Sequence, residues 1–350
     1  MALSHSRLIL YLFRILSETT LPFRVLPADL EGLHRSTWSD WTVEPLLRHG
    51  ALLFEGFGLS SPEDFEQLAL ALDPKLYDQY RGTAPRNART RYVYSSTELP
   101  AHLPIPQHLE MSFLPGTPRK LFFYCQTPPD LHGETPIVDF RSVYQQLSSE
   151  VRDAFEQKGI RHIRNYNPPG KKLEWDLSKL KSWDKVYGTT DPVEVCKKCR
   201  SEGQLFEMRK DRSLKLVNEG PAVREHPVSG QKVWFNHAQV FHPEGPVREA
   251  EYIARRQGTV RQRGLSVFLR NFHRLTSLFL PDEARGTQVT FGDGSPIPVR
   301  FIRHLQAVIW QNMVFFTWKK GDVLMVDNFA VAHGRMPFWG RREILVAWTD

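Results

Sequence analysis

The stretch "GDVLMVDNFAVAHGRMPFWGRREILVAW", residues 321–348, decides the fold. It breaks into strand-length apolar runs, "GDVLMVDN", "AVAHGRMPF" and "REILVAW", separated by Asn, Gly and Pro. "VFFTW" just before it reads as a further strand-like run, and "KKGD" (319–322) as the turn between them. Two residues do not belong in an ordinary apolar sheet. His333 interrupts one run and needs a partner there. Arg342 heads another, on the same face as Ile344, Val346 and Trp348, because side chains at i and i+2 project together. A guanidinium turned into an apolar interior must find an anion, since an unpaired buried charge is costly. A carboxylate matches its fork best.

Working outward, "ALLFEGF" (51–57), "RYVYSS" (91–96) and "KLFFYCQT" (120–127) are strand candidates, and "HGETPIVDF" (132–140) starts as a turn and becomes a strand. Ser60 or Ser61, then Pro62, Glu63 and Asp64, announce a helix whose apolar face is Phe65, Leu68, Ala69 and Leu72. "DFRSVYQQLSSEVRDAFEQKG" (139–159) reads as a helix broken near Ser148–Ser149. "PIPVRFIRHLQAVIWQNM" (296–313) is a helix with Phe301, Ile302, Leu305, Val308 and Ile309 on one side. Residues 160–290 are polar, basic and rich in Trp, Asn and Pro. They read as a helical insertion without its own core, in which one strand, "QKVWFNH" (231–237), stands out. The expected architecture is a β-rich α+β fold. Its core is a barrel or jelly roll with peripheral helices and a long helical insertion. The whole chain, 1–350, is expected to be one catalytic domain. It divides into an extension (1–40), an N-terminal part with the first jelly-roll strands (41–140), the insertion (160–290) and closing strands (291–350).

Composition narrows the function. A chain of 350 residues that is 41% hydrophobic has enough apolar material for a sizeable core. The net charge of +7 is diffuse, and the basic clusters at 86–91, 197–215 and 254–264 carry no nucleic-acid reader motif. They are read as solvated faces, so nucleic acid is not an expected partner. Three cysteines, Cys125, Cys196 and Cys199, argue against a disulfide scaffold. "CKKC" (196–199) lacks the second pair that structural zinc needs. The apolar run Leu8–Phe13 is too short for a signal peptide or a membrane span. A cytoplasmic protein without a membrane partner is expected.

The chemistry starts at "PQHLEMSF" (106–113). On a strand, His108 and Glu110 would project from one face and offer a nitrogen and a carboxylate oxygen as neighbouring ligands. His333 can supply a third from a strand much later in the chain. Two histidines and one carboxylate, with three positions left open, make the facial triad of non-haem Fe(II) oxygenases. The competing reading of His333 is a core histidine satisfied by Asp327 or Asn328.

Taken together, "HLEMS…KLFFYC…HGETPIVDF", "VWFN", "FGDGSPIP" and "GDVLMVDNFAVAHGR.PF…RR" resemble the taurine dioxygenase (TauD/TfdA-like) family of Fe(II)/2-oxoglutarate-dependent oxygenases. They are most similar to its clavaminate-synthase-like branch. The resemblance spans roughly residues 40 to 350 and implies that the core is a double-stranded β-helix (a cupin-like jelly roll). It implies Fe(2+), 2-oxoglutarate as co-substrate and O2, with His108, Glu110 and His333 as metal ligands and catalytic centre. It places Arg342 on the distal carboxylate of 2-oxoglutarate and Thr135 as a hydrogen-bonding partner of the same co-substrate. The implied reaction is hydroxylation of an unactivated C–H bond of an amino acid or related small acid, free or tethered to a carrier protein, while 2-oxoglutarate is decarboxylated to succinate. The alternative is a non-catalytic binding protein on the same fold. Two departures stand out: taurine dioxygenase has Asp where this chain has Glu110, and the interval from His333 to Arg342 is short, with Arg341 adjacent. Asn236 in "VWFN" is a further candidate for substrate contact.

Overall fold

The strands of the core are apolar on both faces because both faces are covered. In the computed structural model, which describes residues 20–78, 86–97, 99–114, 116–170, 182–279 and 285–349, a six-stranded sheet runs in the order Phe23–Val25, Ala51–Phe54, Val323–Asp327, Lys120–Thr127, Glu343–Thr349, Tyr94–Ser95. Alternate residues serve two different cores. Leu52, Phe54, Phe122, Tyr124, Met325, Leu345 and Ala347 pack outward with Phe65, Leu68 and Leu72 of the helix Pro62–Leu72. Leu53, Leu121, Phe123, Leu324, Val326, Ile344, Val346 and Trp348 pack inward with Ile137 and Val331 of a second, three-stranded sheet. That sheet orders Ile105–His108, Val331–Arg335, Ile137–Asp139. Two facing layers, antiparallel except for the parallel edge strand Phe23–Val25, with the chain passing between them at the turn 328–330, form the jelly-roll core.

Local chemistry sets the boundaries. Ser61 caps the helix Pro62–Leu72, accepting from Asp64 N–H while the Asp64 carboxylate reaches back to Ser61 N–H, with Pro62 in the first turn. Residues 139–159 form two helices, Phe140–Gln146 and Ser149–Lys158, the second ending at Gly159. The helix Val299–Gln311 buries the five apolar residues expected of it.

Three expectations need correction. "RYVYSS" yields only the two-residue strand Tyr94–Ser95. "VFFTW" is not a strand: Val314 makes one isolated bridge to Ile137, while Phe316 and Trp318 drop into the core between the sheets. The insertion is not simply helical. It holds an antiparallel sheet ordered Thr287–Phe291, Ile160–Tyr166, Leu214–Gly220, Leu205–Met208, and a small core of its own around Tyr166, Trp183, Val195, Cys199, Leu214 and Leu216. The strand Ile160–Tyr166, "IRHIRNY", escaped a hydrophobicity reading because its buried residues include His162, Arg164 and Asn165. Cys196 and Cys199 lie on the helix Pro192–Ser201 as free thiols, Cys199 buried beside the Tyr187 hydroxyl. Among the described residues no helix is long and apolar enough to cross a membrane. The apolar run Leu8–Phe13 lies outside the described residues.

Candidate metal centre and co-substrate pocket

His108 and His333 are brought together by register. They are direct partners across the antiparallel pair Ile105–His108 and Val331–Arg335, and their rings lie 4.4 Å apart between centroids. The pairing shifts just after His333. Gly334 makes that shift sterically feasible, because a Cβ there would meet Ile105 O at 2.6 Å and the Gln107 amide at 2.7 Å.

Glu110 arrives differently from the expectation. The strand stops at His108, and Glu110 sits in the turn that follows. Met111, next in the chain, has φ +54°. What seats Glu110 is Asn328, wholly buried in the turn that leads to His333. Its Oδ1 accepts from Glu110 N–H at 2.7 Å, and its Nδ2 donates to the carbonyls of Glu110 and Pro118 at 3.0 and 2.8 Å. Asn328→Ala is therefore expected to release the turn. Losing three buried hydrogen bonds should cost about 2–3 kcal/mol in denaturant unfolding. Metal affinity should fall about 10–100-fold, as for other partners that orient a ligand. An Asn328→Ala protein that binds metal like the parent would show that the turn holds without it.

The result is one cluster. His108, Glu110 and His333 each present a ligand atom, all within 4.8 Å of one another. Nε2 of His108 and Nε2 of His333 stand 3.8 and 3.9 Å from Glu110 Oε2. The protonation pattern suits a cation. Nδ1 of His108 lies 2.9 Å from the carbonyl of Pro106, which only accepts, so the proton belongs on Nδ1 and Nε2 is a bare lone pair. Burial, and then the neighbouring His108, hold His333 well below the ordinary imidazole range, so it is neutral. Burial pushes the Glu110 carboxyl up, but the Arg86 guanidinium foremost opposes it, and the carboxyl is held well below the usual carboxylate range. Neither proposed core partner reaches His333. Asp327 binds His226 at 2.8 Å, and Asn328 is spent on Glu110 and Pro118. His333 Nδ1 is buried without a hydrogen-bond partner.

The same cavity, about 230 Å³, is lined by Thr135 and Arg342. Arg342 donates from Nε to Gly133 O at 2.9 Å and from Nη2 to Thr135 Oγ1 at 3.1 Å. Burial, and then the nearby Arg335, lower Arg342 to about 9. Thr135 Oγ1 also accepts from Trp318 Nε1 at 3.0 Å. Its two lone pairs are thus occupied and its one proton is left to donate, which is what a carboxylate oxygen requires. Arg341 is exposed and does not line this cavity.

Sequence reasoning missed several neighbours. Arg86, in a cluster read as a solvated face, donates to Glu110 Oε2 at 3.0 Å with its side chain 6% exposed, and lies 5.4 Å from the Trp348 ring centroid. His237, Phe113 and Arg164 also line the cavity. No spacing or motif marks them, since each comes from a segment with no fixed sequence distance to the triad. Asn236 is not at the cavity: it bonds Ala222 O and Ala238 N–H, capping a turn in the buried core.

With this geometry in view, the comparisons with known proteins agree in one direction. The profile of the "Taurine catabolism dioxygenase TauD, TfdA family" matches residues 19–348. The chain is 32% identical over 310 residues to the dapdiamide synthesis protein DdaC of Enterobacter agglomerans, covering 88% of this chain and 84% of that one. It is 28% identical over 334 residues to a clavaminate synthase-like protein of Arabidopsis thaliana, covering 94% and 90%. A solved taurine dioxygenase from Burkholderia xenovorans overlaps 91% of this chain and 83% of its own, at 15% identity and a TM-score of 0.48. Matched along almost its whole length, the chain belongs to the TauD/TfdA family of Fe(II)/2-oxoglutarate-dependent dioxygenases.

Proposed function

We propose that the cavity around His108, Glu110 and His333 hydroxylates a small acid. The observation that carries this reading is the placement, in one cavity, of a two-histidine, one-carboxylate cluster with the Arg342–Thr135 pair. His108, Glu110 and His333 would hold Fe(II), which needs such a two-histidine, one-carboxylate set. Arg342 and the free Thr135 proton receive the distal carboxylate of 2-oxoglutarate and so fix which end faces the iron. When bound, iron with 2-oxoglutarate and O2 supplies the oxidising power for attack on an unactivated C–H bond, with succinate and CO2 as co-products. Phe113, Phe123, Phe241 and Ile344 form an apolar part of the cavity wall. Glu110 supplies the third ligand, and that ligand set favours hydroxylation. The whole chain acts as one catalytic unit, with the 160–290 segment contributing part of the substrate-side wall. The cavity, about 230 Å³, has the size for a small acid.

The experiment is anaerobic titration of the purified chain with Fe(II) and 2-oxoglutarate, followed by exposure to O2. The expected results are a weak visible charge-transfer band and release of succinate, slow without substrate. A chain that gives neither is not an oxygenase of this type.

A further inference from the structure

Arg164 sits where this mechanism has no use for it. It lies on the insertion strand Ile160–Tyr166, is 3% exposed, and lines the same cavity as the metal cluster. Its contacts are all uncharged. Nη1 donates to the Tyr166 hydroxyl at 3.1 Å and Nη2 to Asn218 Oδ1 at 2.8 Å, and the guanidinium lies 4.7 Å from the Phe113 ring centroid. A guanidinium has five N–H groups, so three have no protein acceptor, including a buried Nε. No carboxylate of the described residues pairs with it.

The other cations around the cavity are accounted for. Arg86 pairs with Glu110. Arg335 donates to the carbonyls of Leu99, Pro100 and Leu103. Arg342 sits with Thr135, placed for the co-substrate. Arg335 and Arg342 are also held by neutral groups, but Arg335 spends three N–H groups on carbonyls and Arg342 is placed for the co-substrate, whereas Arg164 makes two hydrogen bonds and keeps three N–H groups for an anion. It is also on the substrate side. Phe113, on which it stacks, lies 5.1 Å from His237, and His237 lies 5.8 Å from His108, ring to ring. Arg342 instead bonds Gly133 O and Thr135 Oγ1, neither of which touches Arg164.

We infer that Arg164 binds the carboxylate of the primary substrate and thereby sets which carbon faces the metal. This rests on the oxygenase reading and deepens it: the substrate is a free carboxylic acid, held at the insertion wall by its carboxylate. One guanidinium with uncharged neighbours matches a monoanion. A phosphate dianion would call for a second cation. A substrate joined to a carrier through that same carboxyl, as a thioester, has no charge to offer Arg164.

The test needs no knowledge of the substrate. Straight-chain carboxylates from butyrate to octanoate, and their primary amides, serve as probes. Dissociation constants are read by ligand-observed NMR on Zn(II)-loaded protein saturated with 2-oxoglutarate, and again on metal-free protein. Wild type should prefer each acid over its amide by about tenfold or more, the scale of one charge-assisted hydrogen bond. Arg164→Gln should erase that preference. Arg164→Lys, which keeps the charge and guards against a misfolded Gln variant, should retain part of it. Affinity for 2-oxoglutarate should be unchanged in both. The inference is overturned if wild type shows no acid preference, including by binding none of the probes, or if Arg164→Gln keeps it. Failure of 2-oxoglutarate to bind wild type would instead sink the oxygenase reading. The metal-free comparison still decides the role of Arg164 in that case.

Discussion

His333→Ala abolishes Fe(II) binding and, with it, the charge-transfer band and succinate release. The expectation follows from the packing as much as from ligand count. His333 lies in the middle of a fully buried strand, 4.8 Å from the Phe123 ring and 4.4 Å from His108, centroid to centroid. Removing its imidazole leaves a nitrogen and a carboxylate at adjacent positions and no third donor close by. Among the described residues this is the only cluster of three or more His, Cys, Asp or Glu arranged to hold a metal. Partners that merely orient a ligand typically cost about 10–100-fold in metal affinity when removed, so loss of a ligand should exceed that range. His108→Ala should behave the same way, because its Nε2 is the lone pair that Pro106 O leaves bare. The measurement is anaerobic equilibrium dialysis with Fe(II), read beside far-UV circular dichroism to verify folding. A folded His333→Ala protein with parental iron affinity and an intact band would remove His333 from the ligand set.

Arg342→Ala weakens 2-oxoglutarate by about thirtyfold or more, whereas Arg341→Ala leaves it nearly unchanged. Truncating one member of a buried charge pair costs about 2–5 kcal/mol, and about 1.4 kcal/mol is tenfold. Arg342 qualifies because its guanidinium is buried against Gly133 O and Thr135. Arg341, one residue earlier, points to solvent. Both variants should retain iron, since neither contacts the triad. The apparent dissociation constant of 2-oxoglutarate at fixed Fe(II), taken from the charge-transfer band, separates the two arginines. A large loss in Arg341→Ala with none in Arg342→Ala would shift the assignment by one residue. Thr135→Val should give a smaller loss than Arg342→Ala, because it removes one proton donor and leaves the cation.

Much of this molecule was legible because its signals are local. The cap Ser61–Pro62–Asp64, the continuous strand "KLFFYCQT" and the one-sided helix Val299–Gln311 depend on propensity, turn chemistry and burial period. The inward face of Ile344, Val346 and Trp348 follows from the period of a strand, whereas Arg342 precedes that strand and an irregularity between Glu343 and Ile344, so the period alone does not place it. The spacing of His108 and Glu110 was readable, although its structural cause was not. Two residues on one strand face was the inference, while the chain leaves the strand after His108 and Asn328, more than two hundred positions away, seats Glu110.

What the tertiary structure alone decided is everything that depends on the partner across a gap in sequence. A strand's hydrophobicity does not name its neighbour, so the pairing of His108 with His333 had to come from the assembled sheet. Charged residues read as solvated until packing encloses them. Arg86 lies on Glu110, and Arg164 lies inward on a strand of the insertion, yet both belong to stretches whose polarity argued for a wet surface. Burial of a polar side chain is set by the counter-group that meets it in space, and no property of the local sequence records that meeting.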